Sequence, residues 1–310
     1  MMKLLFKEFI SIHINRLLTI RHFLKLHFFK SPMQLNLSFK FEFKKIISKI
    51  AYLNKINELN DSYKSESNDF NKNGYSVFNN KLITKNCSNI LDEINEIKNP
   101  WDINNNFCYA PPSKIFKKQL INIFKNGVDD FIKLSFKSDY YIFYHKLYKS
   151  ERLKQSQIPE GSELWHADGG PGSCMNLMIC HTDIDENNGA MKIIPWQKSK
   201  LLLSKLFFDY KKLFLSKFKN KEKDKLFLRE LKCSILKNYI DDNAIDYFQP
   251  RSLNPGTIFA FRNNCVHAGG YTKFGYKRIV SVMHIYPTPK ITSLEEKFSK
   301  SHLKIAGYPK

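Results

Sequence analysis

The chain has no pair of cysteines at C-x-x-C spacing. Its six cysteines, Cys87, Cys108, Cys174, Cys180, Cys233 and Cys265, stand singly. That excludes the common zinc and redox motifs and reads as reduced thiols of a cytosolic protein. No apolar run reaches the roughly 18 residues needed to span a bilayer. Arginine is also scarce: seven of the 50 basic residues are Arg and the other 43 are Lys. Nucleic-acid readers lean on Arg for bidentate contacts to bases and phosphates. No zinc-finger, RNA-recognition or basic-zipper spacing accompanies the Lys. The net charge of +21 is therefore read as a composition bias toward Lys, Asn, Ile and Phe, and no nucleic-acid partner is expected.

What is present is a chain of 310 residues, 43% hydrophobic and 25% charged. Such a chain can bury a sizeable core as one large domain, or as one domain with an appendage. The first thirty residues mix basic and apolar types, with Lys7 and Glu8 interrupting any signal-peptide core. They suit an amphipathic helix that lies on a membrane surface or partner, or one packed on its own domain. Residues 1–60 are expected to form a basic helical extension. The polar "NDSYKSESND", 60–69, is taken as the boundary with a domain spanning 61–310.

Within that domain, "NGYSVFNN" (73–80) and "DYYIFYHKLY" (139–148) read as strands, and 113–137 as helix. From 162 to 195 short strands alternate with turn residues. Residues 198–248 carry Lys, Leu and Phe at helical spacing and read as a helical insertion; "NPGTIFAF" and "RIVSVMHIYP" then return to a strand pattern. The expectation is a mainly β fold, a sandwich or barrel with peripheral helices.

"LWHADGG", 164–170, places His166 and Asp168 two residues apart, on one face of a strand. His267 follows a later strand and a polar turn. Two histidines and one carboxylate form the facial triad of non-haem Fe(II) oxygenases, which leaves three metal positions open. Eleven residues beyond His267, inside the next strand, stands Arg278. A buried guanidinium demands an anionic partner, and a dicarboxylate that chelates iron at one end would supply it.

On these residues the segment 162–287 resembles the phytanoyl-CoA dioxygenase family of Fe(II)/2-oxoglutarate oxygenases. The carrying stretches are "LWHAD", "DIDENNGAMKIIP", "NPGTIFAF", "CVH" and "YKRIVSVMHIY", with "DFNKNGYSVF" (69–78) resembling the start of that family's domain. The resemblance covers about 60–290, except the insertion. It implies a double-stranded β-helix (jelly roll) with iron held by His166, Asp168 and His267 and 2-oxoglutarate held by Arg278. It also implies O2 as co-reactant, and ascorbate as a stimulant. The triad aspartate favours hydroxylation of a small metabolite or acyl substrate over halogenation. Two departures stand out. Trp196 replaces a glycine the family has after Ile-Pro, and Ala167 is smaller than usual, which is expected to alter the pocket mouth.

Softer candidates for the cosubstrate are Ser281, Asn176, Lys146 and Tyr144. His145, His181 and His284 are read as structural, and Trp165 as core. The rival readings are a jelly-roll binding protein without turnover, and a basic protein of membrane surfaces or nucleic acid. A cytoplasmic location is expected.

Overall fold

In the computed structural model, the structure describes residues 61–98, 101–104, 107–110, 114–152, 154–156, 158–159, 161–168, 175–199, 201–202, 236–263, 265–288 and 291–301. The expected extension, 1–60, and most of the insertion lie outside these residues.

A seven-stranded antiparallel sheet forms the frame. Its strands are β1 (Tyr75–Asn79), β2 (Asp102–Asn104), β3 (Phe107–Ala110), β4 (Asp139–Glu151), β5 (Met175–Cys180), β9 (Thr257–Arg262) and β11 (Lys277–Thr288). They run in the order β1-β9-β5-β11-β4-β3-β2. Short strands β7 (Lys192–Ile193) and β10 (His267–Ala268) pair opposite this sheet, and β6 (Ile184–Asp185) pairs with β8 (Ser252–Leu253). Isolated bridges join His166 to His267 and Ile193 to Phe248. The second sheet thus has the order 166, β10, β7, 248. From β4 onward the chain winds between the two sheets, giving the jelly roll, mainly β with peripheral helices.

The strand sequences show why the large sheet is buried on both sides. In β9, Ile258 and Ala260 face a layer of helices while Phe259 and Phe261 face the second sheet. In β5, Leu177 and Ile179 face the helices while Met178 and Cys180 face inward. Cover on both faces explains their unbroken apolar runs, which alternation alone would not predict.

The helix layer contains α1 (Lys64–Asn73), α2 (Thr84–Glu96), α3 (Lys114–Ile123), α4 (Asp129–Phe136) and α5 (Leu294–Ser301). Within the stretch read as a polar break, residues 61–69 are helical, 3-10 over Asp61–Tyr63 and α from Lys64. Phe70 stacks edge-on to Phe131 of α4, and Asn71 Nδ2 donates to the Ser135 carbonyl. Ser67 and Phe70 are the buried residues of this polar helix. The helix expected over 113–137 is present but breaks at Asn126–Gly127, where Gly127 has φ 111°. No helix among the described residues is long and apolar enough to cross a membrane.

Candidate metal centre

His166 and His267 sit side by side because their backbones bond to each other: His166 N donates to His267 O at 2.9 Å, and His267 N to His166 O at 2.8 Å. Their rings lie 4.3 Å apart, centroid to centroid. Asp168 N donates to the Asn263 carbonyl at 2.8 Å, so the segment after β9 fixes the carboxylate as well. Alternation sends Trp165 and Ala167 to the other side, where they pack with Ile194, Val266 and the ends of the insertion at Leu202, Leu236 and Ile240. Ala167 therefore lies behind the site rather than at a pocket mouth. Trp196, where a helical segment begins, lies with its ring centroid 5.8 Å from the Arg262 guanidinium carbon.

Both imidazoles are oriented in the same way. His166 Nδ1 donates to the Leu164 carbonyl at 2.6 Å, and His267 Nδ1 donates to the Cys265 carbonyl at 2.8 Å. A carbonyl can only accept, so each Nδ1 carries the proton and each Nε2 presents a lone pair. His166 Nε2 lies 3.6 Å from Asp168 Oδ1, and His267 Nε2 lies 3.8 Å from Asp168 Oδ2. These separations exceed hydrogen bonds and suit three donors around one cation. One ligand atom from each residue lies within 4.8 Å of the others.

Asn176 Nδ2 donates to Asp168 Oδ2 at 2.5 Å. Burial acts to raise the Asp168 pKa, but His267, His166, His284 and the Asn176 bond outweigh it and hold the carboxyl below its usual range. The Asp168 side chain is 26% exposed and that of His267 5%, so the site opens on the aspartate side. Phe261 lies 4.6 Å from the His267 ring and covers its back.

Arg278 starts the inner face of β11 and is 1% exposed. Its Nη1 donates to the Gly189 carbonyl, and its Nε is buried with no hydrogen-bond partner. No carboxylate pairs with it among the described residues. The "DENNG" turn builds this contact. Asp185 Oδ1 accepts from Asn187 N and Asn188 N, and Gly189 follows at φ 93°. A Cβ at Gly189 would stand 2.9 Å from Arg278 Nη1, and one at Gly270 would stand 2.4 Å from the Gly189 oxygen. The two glycines permit the cradle.

The softer candidates separate by strand register. Lys146 pairs with Val282 and lies on the face that also carries Arg278, Val280 and His284. Asn176, paired with His284, shares that face, but its amide holds Asp168. Ser281 is an odd number of residues from Arg278 and points into the helix layer. There its Oγ bonds His181 Nε2 at 2.8 Å and His145 Nε2 at 3.4 Å. It is separated from the cosubstrate candidates by the sheet itself. Tyr144 pairs with His284 on β11. His284, read from sequence as structural, stands close enough to Asp168 to influence its charge.

Three residues that shape the site had weak sequence signals. Gly189 lies in a stretch noted only for alternating strands and turns, Asn263 in a polar turn, and Gly270 was not singled out. The arrangement can hold one cation through two imidazoles and a carboxylate, and one carboxylate through a charge-short guanidinium.

No family model matches the sequence, and no curated protein matches it. Solved structures that resemble it include the non-heme alpha ketoglutarate dependent epimerase SnoN from nogalamycin biosynthesis, at 12% identity and TM-score 0.49, covering 75% of this chain and 88% of that one. HygX from Streptomyces hygroscopicus, solved with nickel and 2-oxoglutarate bound, matches at 10% identity and TM-score 0.44, covering 73% and 87%. EctD from S. alaskensis, solved with 2-oxoglutarate and 5-hydroxyectoine, matches at 12% identity and TM-score 0.42, covering 72% and 75%. At such identities and TM-scores the likeness is no guide to chemistry.

Proposed function

We propose that this chain is an Fe(II)/2-oxoglutarate-dependent dioxygenase of the phytanoyl-CoA dioxygenase type that hydroxylates a C–H bond of a small molecule. The observation that carries this reading is the convergence of His166, Asp168 and His267 in a fold that also buries Arg278 with no carboxylate partner among the described residues. Iron held by these three residues would, with 2-oxoglutarate and O2, supply the oxidising power for the hydroxylation, with succinate and CO2 as co-products. The residues supply ligation and position. The Leu164 and Cys265 carbonyls hold each imidazole with Nε2 toward the ion, and Asn176 fixes the Asp168 carboxylate. Arg278 takes the distal carboxylate of 2-oxoglutarate, and Lys146 adds positive charge on the same face. Phe261 keeps water from the back of His267.

The test is succinate release by the iron-loaded chain from 2-oxoglutarate. His166→Ala and Asp168→Ala are each expected to abolish it. Unchanged release in both variants ends this reading, and retained binding of 2-oxoglutarate without any release by the unaltered chain favours a binding protein instead.

A further inference from the structure

Asn263 is 2% exposed, and neither Nδ2 nor Oδ1 of its side chain has a hydrogen-bond partner. A carboxamide offers two donors and an acceptor, and burying one without partners is costly. Asparagine in a turn ordinarily satisfies itself on nearby backbone. This one does not, although it sits in the turn closed by Cys265 N donating to the Arg262 carbonyl at 3.0 Å. The turn therefore does not account for the side chain.

Its surroundings point to the metal centre. The Asn263 carbonyl accepts from Asp168 N. The strand before it sends Phe259 and Phe261 inward, and Asn263 is the first residue after that strand, at the turn. Phe261 lies against His267. The residue with the orphaned amide is thus bonded through its backbone to one candidate metal ligand and stands two residues from the aromatic cover of another. Arg262, on the opposite alternation, faces Phe70 and Trp196 instead.

Resting on the dioxygenase reading above, we propose that Asn263 is a specificity-determining residue that binds a neutral hydrogen-bonding group, a hydroxyl or carboxamide, carried by the substrate near its reacting carbon. A neutral group of this kind can both donate and accept, which matches both halves of the amide. An anion satisfies only the donors, and it would lie next to Asp168. The substrate is accordingly a polar molecule at this end rather than a bare hydrocarbon chain.

The test uses the full chain loaded with Mn(II) and 2-oxoglutarate without O2, and butanamide and 1-butanol as probes, with butanoate as the anionic control. Mn(II) broadens the NMR lines of probe protons held near it, and a Zn(II)-loaded sample gives the baseline. The chain is expected to broaden butanamide or butanol more than butanoate. Asn263→Leu, similar in volume, is expected to reduce that broadening roughly tenfold and to raise the ligand-free Tm, because an unsatisfied buried amide is gone. Mn(II) uptake is expected to persist, since Asn263 reaches Asp168 through its backbone. Equal broadening in both proteins overturns the proposal, as does absence of probe broadening in the unaltered chain, or a lower Tm for Asn263→Leu. Failure of the unaltered chain to take up Mn(II) instead sinks the dioxygenase reading itself.

Discussion

Arg152 and Arg278 are 2% and 1% exposed, yet their surroundings differ in kind. Arg152 donates from all three nitrogens: Nε to the Thr272 carbonyl at 3.0 Å, Nη1 to the Ile158 carbonyl at 2.9 Å and Nη2 to Glu163 Oε2 at 2.7 Å. The Tyr271 ring lies 4.0 Å from its Cζ. Arg278 has one carbonyl and a stranded Nε. The same fold can neutralise a buried guanidinium where the task is to tie segments together, here the end of β4, the turn before His166 and the loop after His267. The charge left short at Arg278 is what the proposed binding of the 2-oxoglutarate carboxylate would offset.

The largest expected effect breaks the satisfied member. Glu163→Gln removes the carboxylate from a pair whose side chains are 1% and 0% exposed. It should cost about 3–5 kcal/mol of stability by leaving Arg152 buried and unpaired, read as a lower urea midpoint. Arg278→Met should behave in the opposite way. Stability without ligand should hold or rise, because an uncompensated buried charge has gone. Affinity for 2-oxoglutarate should fall by about 2–5 kcal/mol, measured by calorimetry on the Mn(II)-loaded chain. If Arg278→Met unfolds as readily as Glu163→Gln, the two arginines are doing the same structural job.

The sequence made Arg278 legible and Arg152 not, for a physical reason. Arg278 lies eleven residues from His267, across one short crossing of the chain from the second sheet to the large one. Arg152 and Glu163 are also near in sequence, but nothing local says that both are buried; that follows from the packing of Tyr271 and Thr272, more than a hundred residues on. Strand alternation gave the facing of His166 and Asp168 correctly because they are two apart. It could not decide Ser281 until Arg278 was known to face inward, and an offset of three then placed Ser281 among the helices. Helix α1 hid in a polar stretch because Phe70 and Ser67 are its only buried residues. Asn176 was recognised as lying near the site, but its partner, Asp168, is set by how the chain after β4 crosses to the second sheet.

A smaller effect sharpens the idea of completion at the metal itself. Asn176→Ala leaves all three candidate ligands in place and removes the amide that fixes Asp168 Oδ2. Loss of such a supporting bond typically weakens metal affinity about 10–100-fold. Competition between the chain and a chelator for Mn(II) measures it. An unchanged affinity would mean that the carboxylate is held well enough by the Asn263 carbonyl at its backbone.

His181 shows the route that an arginine lacks. It is fully buried on the helix side of the sheet, bonded to Ser281. Burial, and then the nearby His145, push its pKa from 6.5 down to about 3, so it stays neutral by shedding its proton. Below pH 6.5 the unfolded chain takes up a proton that the folded chain refuses. Stability from this group is thus intact at neutral pH, falls as pH drops below about 6.5, and stops falling near 3. One unit below 6.5 the loss is about 1.4 kcal/mol. His181→Gln removes this titration, so between pH 7.5 and 5.5 the unaltered chain should lose about that much more stability than the variant in urea unfolding. Arg278 has no such escape, because a guanidinium keeps its proton at any pH at which the protein folds. Parallel acid limbs for the two proteins would remove the contrast between a buried base that can discharge and one that must wait for an anion.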